Sequence, residues 1–311
     1  MTGITDSQWQ KLESAFGDKL QKDVLLAPFT AARIGGAADG FIVVESAAQL
    51  ENTANMLWEI PVPFMILGGG ANVLISDSGV RQVVVLNRAR HIEIKETERS
   101  VFAESGANFG TLARKVSSRG FTGFEWAAGI PGTVGGAVYG NAGAHGSDVA
   151  DNIIMATILH PTEGKQQLSP SELGFAYRSS VLKREEKDSV ILSACFSFEI
   201  STLPATKTLL REFSEQRKRS QPPGASMGSM FKNPPGDFAG RLIEKAGLKG
   251  TQKGEVQISP LHANFFINKG GGSAKDVLSL IKLAQQKVEE KFGIELVLEI
   301  ELVGDWNRTH A

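Results

Sequence analysis

Short apolar runs with a two-residue period alternate along this chain with stretches whose apolar positions recur every three or four residues. Trp9, Leu12, Phe16 and Leu20 sit at helical spacing among charged residues, which predicts an amphipathic helix over about 6–20. An extended segment follows around 30–44, then a second helix over about 47–58 with Leu50, Ala54 and Leu57 on one side. Pro63-Phe64-Met65-Ile66-Leu67 reads as a buried strand that delivers three glycines to its end. Val83-Val84-Val85-Leu86 and Ile92-Glu93-Ile94 continue as strands, so the first third is mixed α/β.

A strand at Val101-Phe102-Ala103 opens the middle third, and Asn108 is placed to cap a helix with Leu112 and Val116 inward and Gly120 as its stop. A long glycine loop comes next, then strands near 153–159 and 189–199. Ser201-Thr202-Leu203-Pro204-Ala205 has the composition of a linker, beyond which a charged helix is expected over about 206–219. Asp237 is expected to cap a helix ending at Gly247, and two short strands flank Pro260. Ser273 with Asp276 forms a capping-box-like start to a long helix whose apolar face is Val277, Leu280, Ile281, Ala284, Val288 and Phe292, with Gly293 as its end. The last segment alternates, with Ile294, Leu296, Leu298, Ile300 and Leu302 on one side, and predicts a single strand.

Composition narrows the function classes. At 311 residues the chain is long enough for two or three compact units. A formal charge of −1 gives no bulk attraction to nucleic acid or an anionic membrane. Arg217-Lys218-Arg219 reads as the solvated end of a helix. Cys195 is the only cysteine, which excludes an internal disulfide and a multi-thiolate metal site, and no metal is expected. Its apolar neighbours predict a buried strand position. The charged N-terminus is unlike a signal peptide, and no apolar run approaches the roughly 20 residues that span a bilayer. A cytoplasmic protein that acts on a small molecule is the expectation.

The candidate chemistry lies in two uncharged glycine-rich loops, 67–74 and 128–146. Backbone without side chains can approach a ligand closely, and exposed amides can cradle a diphosphate without a formal charge. Neither Gly-x-x-x-x-Gly-Lys-Ser/Thr nor Gly-x-Gly-x-x-Gly occurs, which removes the P-loop and leaves a Rossmann domain unsupported. A different diphosphate-binding scaffold is needed; the bland reading is tight turns in a strand-rich domain. Three more segments stand out: Tyr177-Arg178-Ser179-Ser180, Ser226-Met227-Gly228-Ser229-Met230-Phe231-Lys232-Asn233-Pro234, and Glu299 near the C-terminus. Read blandly, they are a surface arginine, a turn serine and a solvated glutamate.

Gly68-Gly69-Gly70-Ala71-Asn72-Val73-Leu74, Ala128-Gly129-Ile130-Pro131-Gly132-Thr133-Val134-Gly135-Gly136, Gly140-Asn141-Ala142-Gly143, Tyr177-Arg178-Ser179-Ser180, Gly228 to Pro234 and His262-Ala263-Asn264-Phe265 occur in one order. In that combination, over about 28–304, the chain resembles the bacterial UDP-N-acetylenolpyruvoylglucosamine reductases, of the shorter type II class. The resemblance implies an α+β fold: a two-subdomain FAD-binding module of the PCMH/vanillyl-alcohol-oxidase type (1–88 and 89–203), then a smaller α+β substrate domain (204–311). It implies non-covalent FAD, NADPH as co-substrate and a UDP-sugar substrate, in peptidoglycan precursor synthesis. Cofactor-binding positions by resemblance are Gly68, Gly69, Gly70, Ala71, Asn72, Gly129, Ile130, Pro131, Gly132, Thr133, Gly135, Gly136, Asn141 and Gly143. Arg178 matches the arginine that stabilises the substrate carboxylate, Glu299 a glutamate that stabilises the enolate-like intermediate in neutral or water-linked form, and Ser229 the general acid. Tyr177, Lys232, Asn233 and His262 are weaker matches as substrate neighbours.

Three departures are visible. His145 stands where the family often has an aromatic, Met227 replaces a smaller residue, and Glu301 sits where a basic residue is frequent. The rival readings are another FAD-linked oxidase or dehydrogenase of the same fold, acting on a sugar or alcohol, and a non-catalytic flavin-holding protein. The second would be expected to lose one of Arg178, Ser229 and Glu299, and all three are present.

Overall fold

The computed structural model describes residues 3–185 and 188–306. Its N-terminal helix runs only from Asp6 to Phe16, opened by a Thr5/Gln8 capping box. Gly17, at φ 50°, turns the chain out of the helix, so the predicted last turn becomes a short 3-10 turn, Gly17–Lys19. The extended segment proves to be the strand Ala37–Val44, preceded by turns. It is central in a sheet ordered Gln21–Leu25, Ala37–Val44, Val80–Asn87, Phe64–Leu67. The first pair is antiparallel and the others parallel. A second sheet, ordered Gly164–Leu168, Ile153–His160, Val190–Ser197, Ser100–Glu104, Ile92–Lys95, is antiparallel throughout.

Helix Ala47–Glu59 lies between the two sheets. Leu50, Ala54 and Leu57 pack in one cluster with Val83 and Val85 of the first and Leu159, Val190 and Leu192 of the second. Burial of that many large apolar side chains, each contributing about 1.5–3 kcal/mol, explains why these two sheets pack as neighbours. Helix Phe109–Ser117, capped by Asn108 as the sequence predicts, covers the second sheet through Leu112 and Val116.

The C-terminal part is built on helix Ala274–Phe292, whose capping box, buried face and Gly293 terminus match the prediction, with Phe292 only partly buried. It packs with helix Ala239–Lys245 and a three-stranded sheet, Gln252–Lys253, Val256–Ile258 and Phe266–Asn268. Its core also takes in Ala32, Ile34 and Leu74. Asp77 accepts the amides of Ala274 and Lys275 at 2.8 and 2.9 Å, capping this helix from the other end of the chain.

Five local expectations are corrected. Residues 203–220 form one helix, capped by Thr202 with Pro204 in its first turn, so no linker occupies 201–205. The buried Thr206 hydroxyl donates to Ser117 O at 2.8 Å and ties this helix to the preceding unit. Val134–Gly140, inside the expected glycine loop, is helical with Thr133 as its cap. Asp237 does not cap helix 239–245: Phe238 holds the cap position, and Asn233 Oδ1 accepts the Ala239 amide at 3.1 Å. The last strand is confined to Glu301–Val303, where Leu302 points to solvent, because the chain bends at 299–300 to leave one neighbour for another. Cys195 is half-buried rather than buried, and that burial pushes its thiol up.

Candidate active site

The two glycine loops meet back to back. A Cβ on Gly69 would lie 2.9 Å from Gly132 Cα, and one on Gly68 would lie 2.4 Å from Thr133 Oγ1. Gly70, at φ 57°, approaches Phe29 O so closely that no side chain fits. Among the described residues the amides of Gly69, Gly70 and Gly132 meet no acceptor. The amides of Val134 and Gly135, by contrast, donate to Ala107 O and Ser105 O at 2.8 Å each. The short helix therefore spends its first amides internally, and the free donors belong to the loops.

A charged side chain does reach this uncharged cradle. Arg217 is half-buried on helix 203–220, against Gly129, where a Cβ would be 2.7 Å from Arg217 Cδ. Burial holds its guanidinium below its usual range, and no carboxylate pairs with it among the described residues. It is not the solvated helix end the sequence predicts. Beside it the His145 ring stacks on Phe213, centroids 4.4 Å apart. Burial lowers the His145 pKa; a Gln216 hydrogen bond opposes this and the Arg217 charge adds to it.

Glu299 is where three parts of the chain converge. Its amide donates to Met230 O at 2.9 Å, its carbonyl accepts Asn72 Nδ2 at 3.1 Å, and its Oε1 lies 2.9 Å from Arg178 Nε. The Nε–H is poorly aimed for a hydrogen bond, so this contact is an ion pair. Arg178 Nη2 donates to Gly143 O at 2.7 Å, and the Tyr177 ring lies 5.4 Å from the guanidinium. The Glu299 side chain is only 17% exposed. Burial pushes its carboxyl above the ordinary 4.5, against Arg178, Lys183 and Lys232, which pull it down.

Ser229 immediately precedes Met230 and bridges Phe265. That segment is held by Asn264, a buried residue whose Oδ1 accepts the Phe231 amide at 2.9 Å and whose Nδ2 donates to Phe231 O at 2.8 Å. Asn264 O accepts the Met230 amide as well. The motif that contains Asn264 gives no sign in the sequence of this support, which depends on a contact 33 residues apart.

The other expected residues divide. Lys232 faces Glu299 electrostatically and joins Val297 O through its amide. Tyr177 is exposed beside Arg178. Ala71, Ile130 and Pro131 lie on the loops, and Pro131, Gly129 and Gly136 show an exposed face. Asn141 is committed structurally: Nδ2 donates to Asp148 Oδ2 and Ala176 O, and Oδ1 accepts the Ala150 amide. His262 packs on Phe265 and accepts the Asn264 amide at Nδ1, and burial lowers its pKa. Among the described residues no hydrogen bond joins His262 or Asn233 to the Arg178–Glu299 pair; Asn233 is a helix cap.

Residues 219–303 match the UDP-N-acetylenolpyruvoylglucosamine reductase C-terminal domain, and residues 38–167 match an FAD binding domain. The UDP-N-acetylenolpyruvoylglucosamine reductase of Rubrobacter xylanophilus is 41% identical over 284 residues, covering 91% of this chain and 95% of that protein. That of Caldanaerobacter subterraneus subsp. tengcongensis is 42% identical over 278 residues, covering 89% and 91%. The crystal structure of the reductase (MurB) from Thermus caldophilus superposes with a TM-score of 0.78 at 33% identity, covering 90% of this chain and 97% of that one. With whole-length similarity at this level joined to the convergence of Arg178, Glu299 and the Ser229 segment, the chain belongs to the UDP-N-acetylenolpyruvoylglucosamine reductase family.

Proposed function

We propose that this protein reduces the enolpyruvyl ether of UDP-N-acetylglucosamine to UDP-N-acetylmuramate with NADPH, on non-covalently held FAD, in peptidoglycan precursor synthesis. The observation that carries the reading is the meeting, at Glu299, of the Asn72 end of one glycine loop, the Arg178 segment and the Ser229–Met230 segment. The loops fit a diphosphate cofactor: no side chain can enter between Gly69 and Gly132, and the amides there lack acceptors. Gly69, Gly70 and Gly132 would hold the diphosphate by main chain, with two formal charges at the 128–129 edge of the second loop: Arg217 against Gly129, and Arg114, whose Nη1 donates to Ala128 O at 2.6 Å. FAD, when bound, supplies the hydride storage between nicotinamide and enol ether.

The chain's own residues handle charge and the proton. Arg178 binds the substrate carboxylate, where a planar guanidinium suits a two-oxygen partner. Negative charge grows on the carbon that bears this carboxylate as the terminal carbon is reduced. Glu299, whose proton affinity burial raises, faces that charge with the Arg178 guanidinium beside it to offset repulsion. Ser229 Oγ delivers the proton to carbon, general acid catalysis contributing ~10²–10⁴-fold. Cofactor binding falls to 1–88 and 89–203 and most of substrate binding to 204–311, to which Arg178 adds from the second unit.

Anaerobic NADPH oxidation by purified protein, with and without the enolpyruvyl sugar, tests this. Substrate-dependent turnover to UDP-N-acetylmuramate is expected, with Ser229→Ala blocking carbon reduction while flavin reduction persists. A flavin that NADPH reduces but the enolpyruvyl sugar does not reoxidise would instead favour an oxidase or dehydrogenase of the same fold.

A further inference from the structure

Glu299 is not the only carboxylate that the C-terminal segment brings to the Arg178 segment. Glu301, two residues on, meets Lys183 with Nζ 2.5 Å from Oε1. Lys183 lies on the helical turn Val181–Arg184, just past Arg178, and its side chain is 16% exposed against 40% for Glu301. Two ion pairs, Arg178–Glu299 and Lys183–Glu301, thus join the same two segments.

Both segments are anchored elsewhere as well. Ser180 Oγ donates to Tyr139 O at 2.7 Å, and Lys183 Nζ lies 6.0 Å from the Tyr139 ring. On the other side the Glu301 amide donates to Asn72 O at 2.9 Å. What the backbone leaves unset is the charge between them. A bare second carboxylate here would repel a substrate that carries a carboxylate and a diphosphate, and would also act on Glu299. The charged groups acting on Glu299 are Arg178 and Lys183 from one segment and Lys232 from another, while Glu301, on its own segment, meets Lys183; the 68–72 loop contributes none.

We propose that Lys183 is a positioning residue for carbon reduction: it neutralises Glu301 and holds the 299–301 segment so that Glu299 stays on Arg178. The proposal rests on the reductase reading above. Its test is a set of pH profiles of kcat/KM for Lys183→Met, Glu301→Gln, the double variant and Lys183→Arg. Lys183→Met raises KM for the enolpyruvyl sugar about tenfold and moves the alkaline limb up, since Glu299 loses a cation and gains an unneutralised neighbour. Glu301→Gln moves the limb down, because Lys183 then acts on Glu299 unopposed. The double variant and Lys183→Arg return both quantities to within about threefold of the parent. Limbs that stay put while melting temperatures fall, or a double variant no better than Lys183→Met, would overturn the proposal. A parent enzyme that does not turn over the sugar at all overturns the reductase reading instead. The infrared carboxyl band of Glu299, identified by its loss in Glu299→Gln, then decides without turnover: opposite shifts of its titration in the two single variants support the role of Lys183, and no shift ends it.

Discussion

Arg178 reaches Glu299 from a left-handed backbone, φ 54°, which places its Nε 2.9 Å from Oε1. Such a conformation in a residue with a Cβ is costly and persists only when surrounding contacts over-determine it. Here those contacts are Gly143 O on Nη2 and the Ala176–Ser179 bridge that closes the turn. Burial, the largest influence on Glu299, keeps its proton on above the usual 4.5 despite the nearby cations. A carboxyl whose folded pKa is raised contributes stability that is complete below its unfolded pKa and lost as pH rises through the folded value. Glu299→Gln should therefore melt increasingly above the parent as pH climbs past about 4.5, and should lose the alkaline limb of its rate profile. Its kcat should fall on the order of 10–10²-fold. Parallel melting and rate profiles check this; a melting difference independent of pH would count against a buried, proton-holding Glu299.

Asn264 supports both Ser229 and Glu299 without being placed against substrate. Asn264→Ala removes the partners of the Phe231 amide and carbonyl in a buried site, at about 1–3 kcal/mol for each group left unpaired. Because Met230 O also receives the Glu299 amide, kcat should drop along with melting temperature. Asn264→Asp keeps the acceptor for Phe231 N but loses the donor to Phe231 O, and should fall between. A thermal shift series with steady-state rates measures both; a destabilised Asn264→Ala with undiminished kcat would limit this residue to stability.

Arg217 packs on Gly129 at the edge of the second glycine loop and has no carboxylate partner among the described residues. Arg217→Gln is expected to weaken FAD about 10–10²-fold, the scale of one charge-assisted hydrogen bond, and to flatten the dependence of affinity on salt. Arg217→Lys should restore the charge but only part of the affinity. Flavin fluorescence on titration of the apoprotein reads this directly, and unchanged affinity in Arg217→Gln would leave the loops as the sole diphosphate site.

How far the chain could be read in advance follows from where each signal resides. Helix 274–292 was legible because its cap, apolar face and terminal glycine all lie within its own residues. The pairing of Glu301–Val303 with Val73–Ile75 was not: three residues of parallel strand give no local sign of a partner more than two hundred residues away. The same pairing explains why Glu299 looked like an ordinary strand glutamate until the resemblance singled it out. Thr202-Leu203-Pro204 shows a different failure, since a capping threonine and an early proline are helix-start chemistry that composition alone presents as a linker. Arg217 was misread for want of the contact with Gly129, 88 residues earlier in the chain. The glycine loops were legible in place and character, but their packing against each other was not.

That packing yields the sharpest steric prediction. Gly69 has no positive φ, so alanine strains no backbone there, yet its Cβ would lie 2.9 Å from Gly132 Cα. Main chain cannot swing aside as a side chain can, and Gly69→Ala must push the two loops apart. Overpacking of this kind costs about 1–3 kcal/mol. The loss should appear twice, as a lower melting temperature of the apoprotein and as faster FAD release, because the amides of Gly69 and Gly132 move with the loops. Gly140→Ala is the matched control: nothing lies within 4 Å of its Cβ position and the site is helical, so it should be neutral or slightly stabilising. Equal melting and equal FAD release in Gly69→Ala and Gly140→Ala would mean that the loops are not in contact in solution.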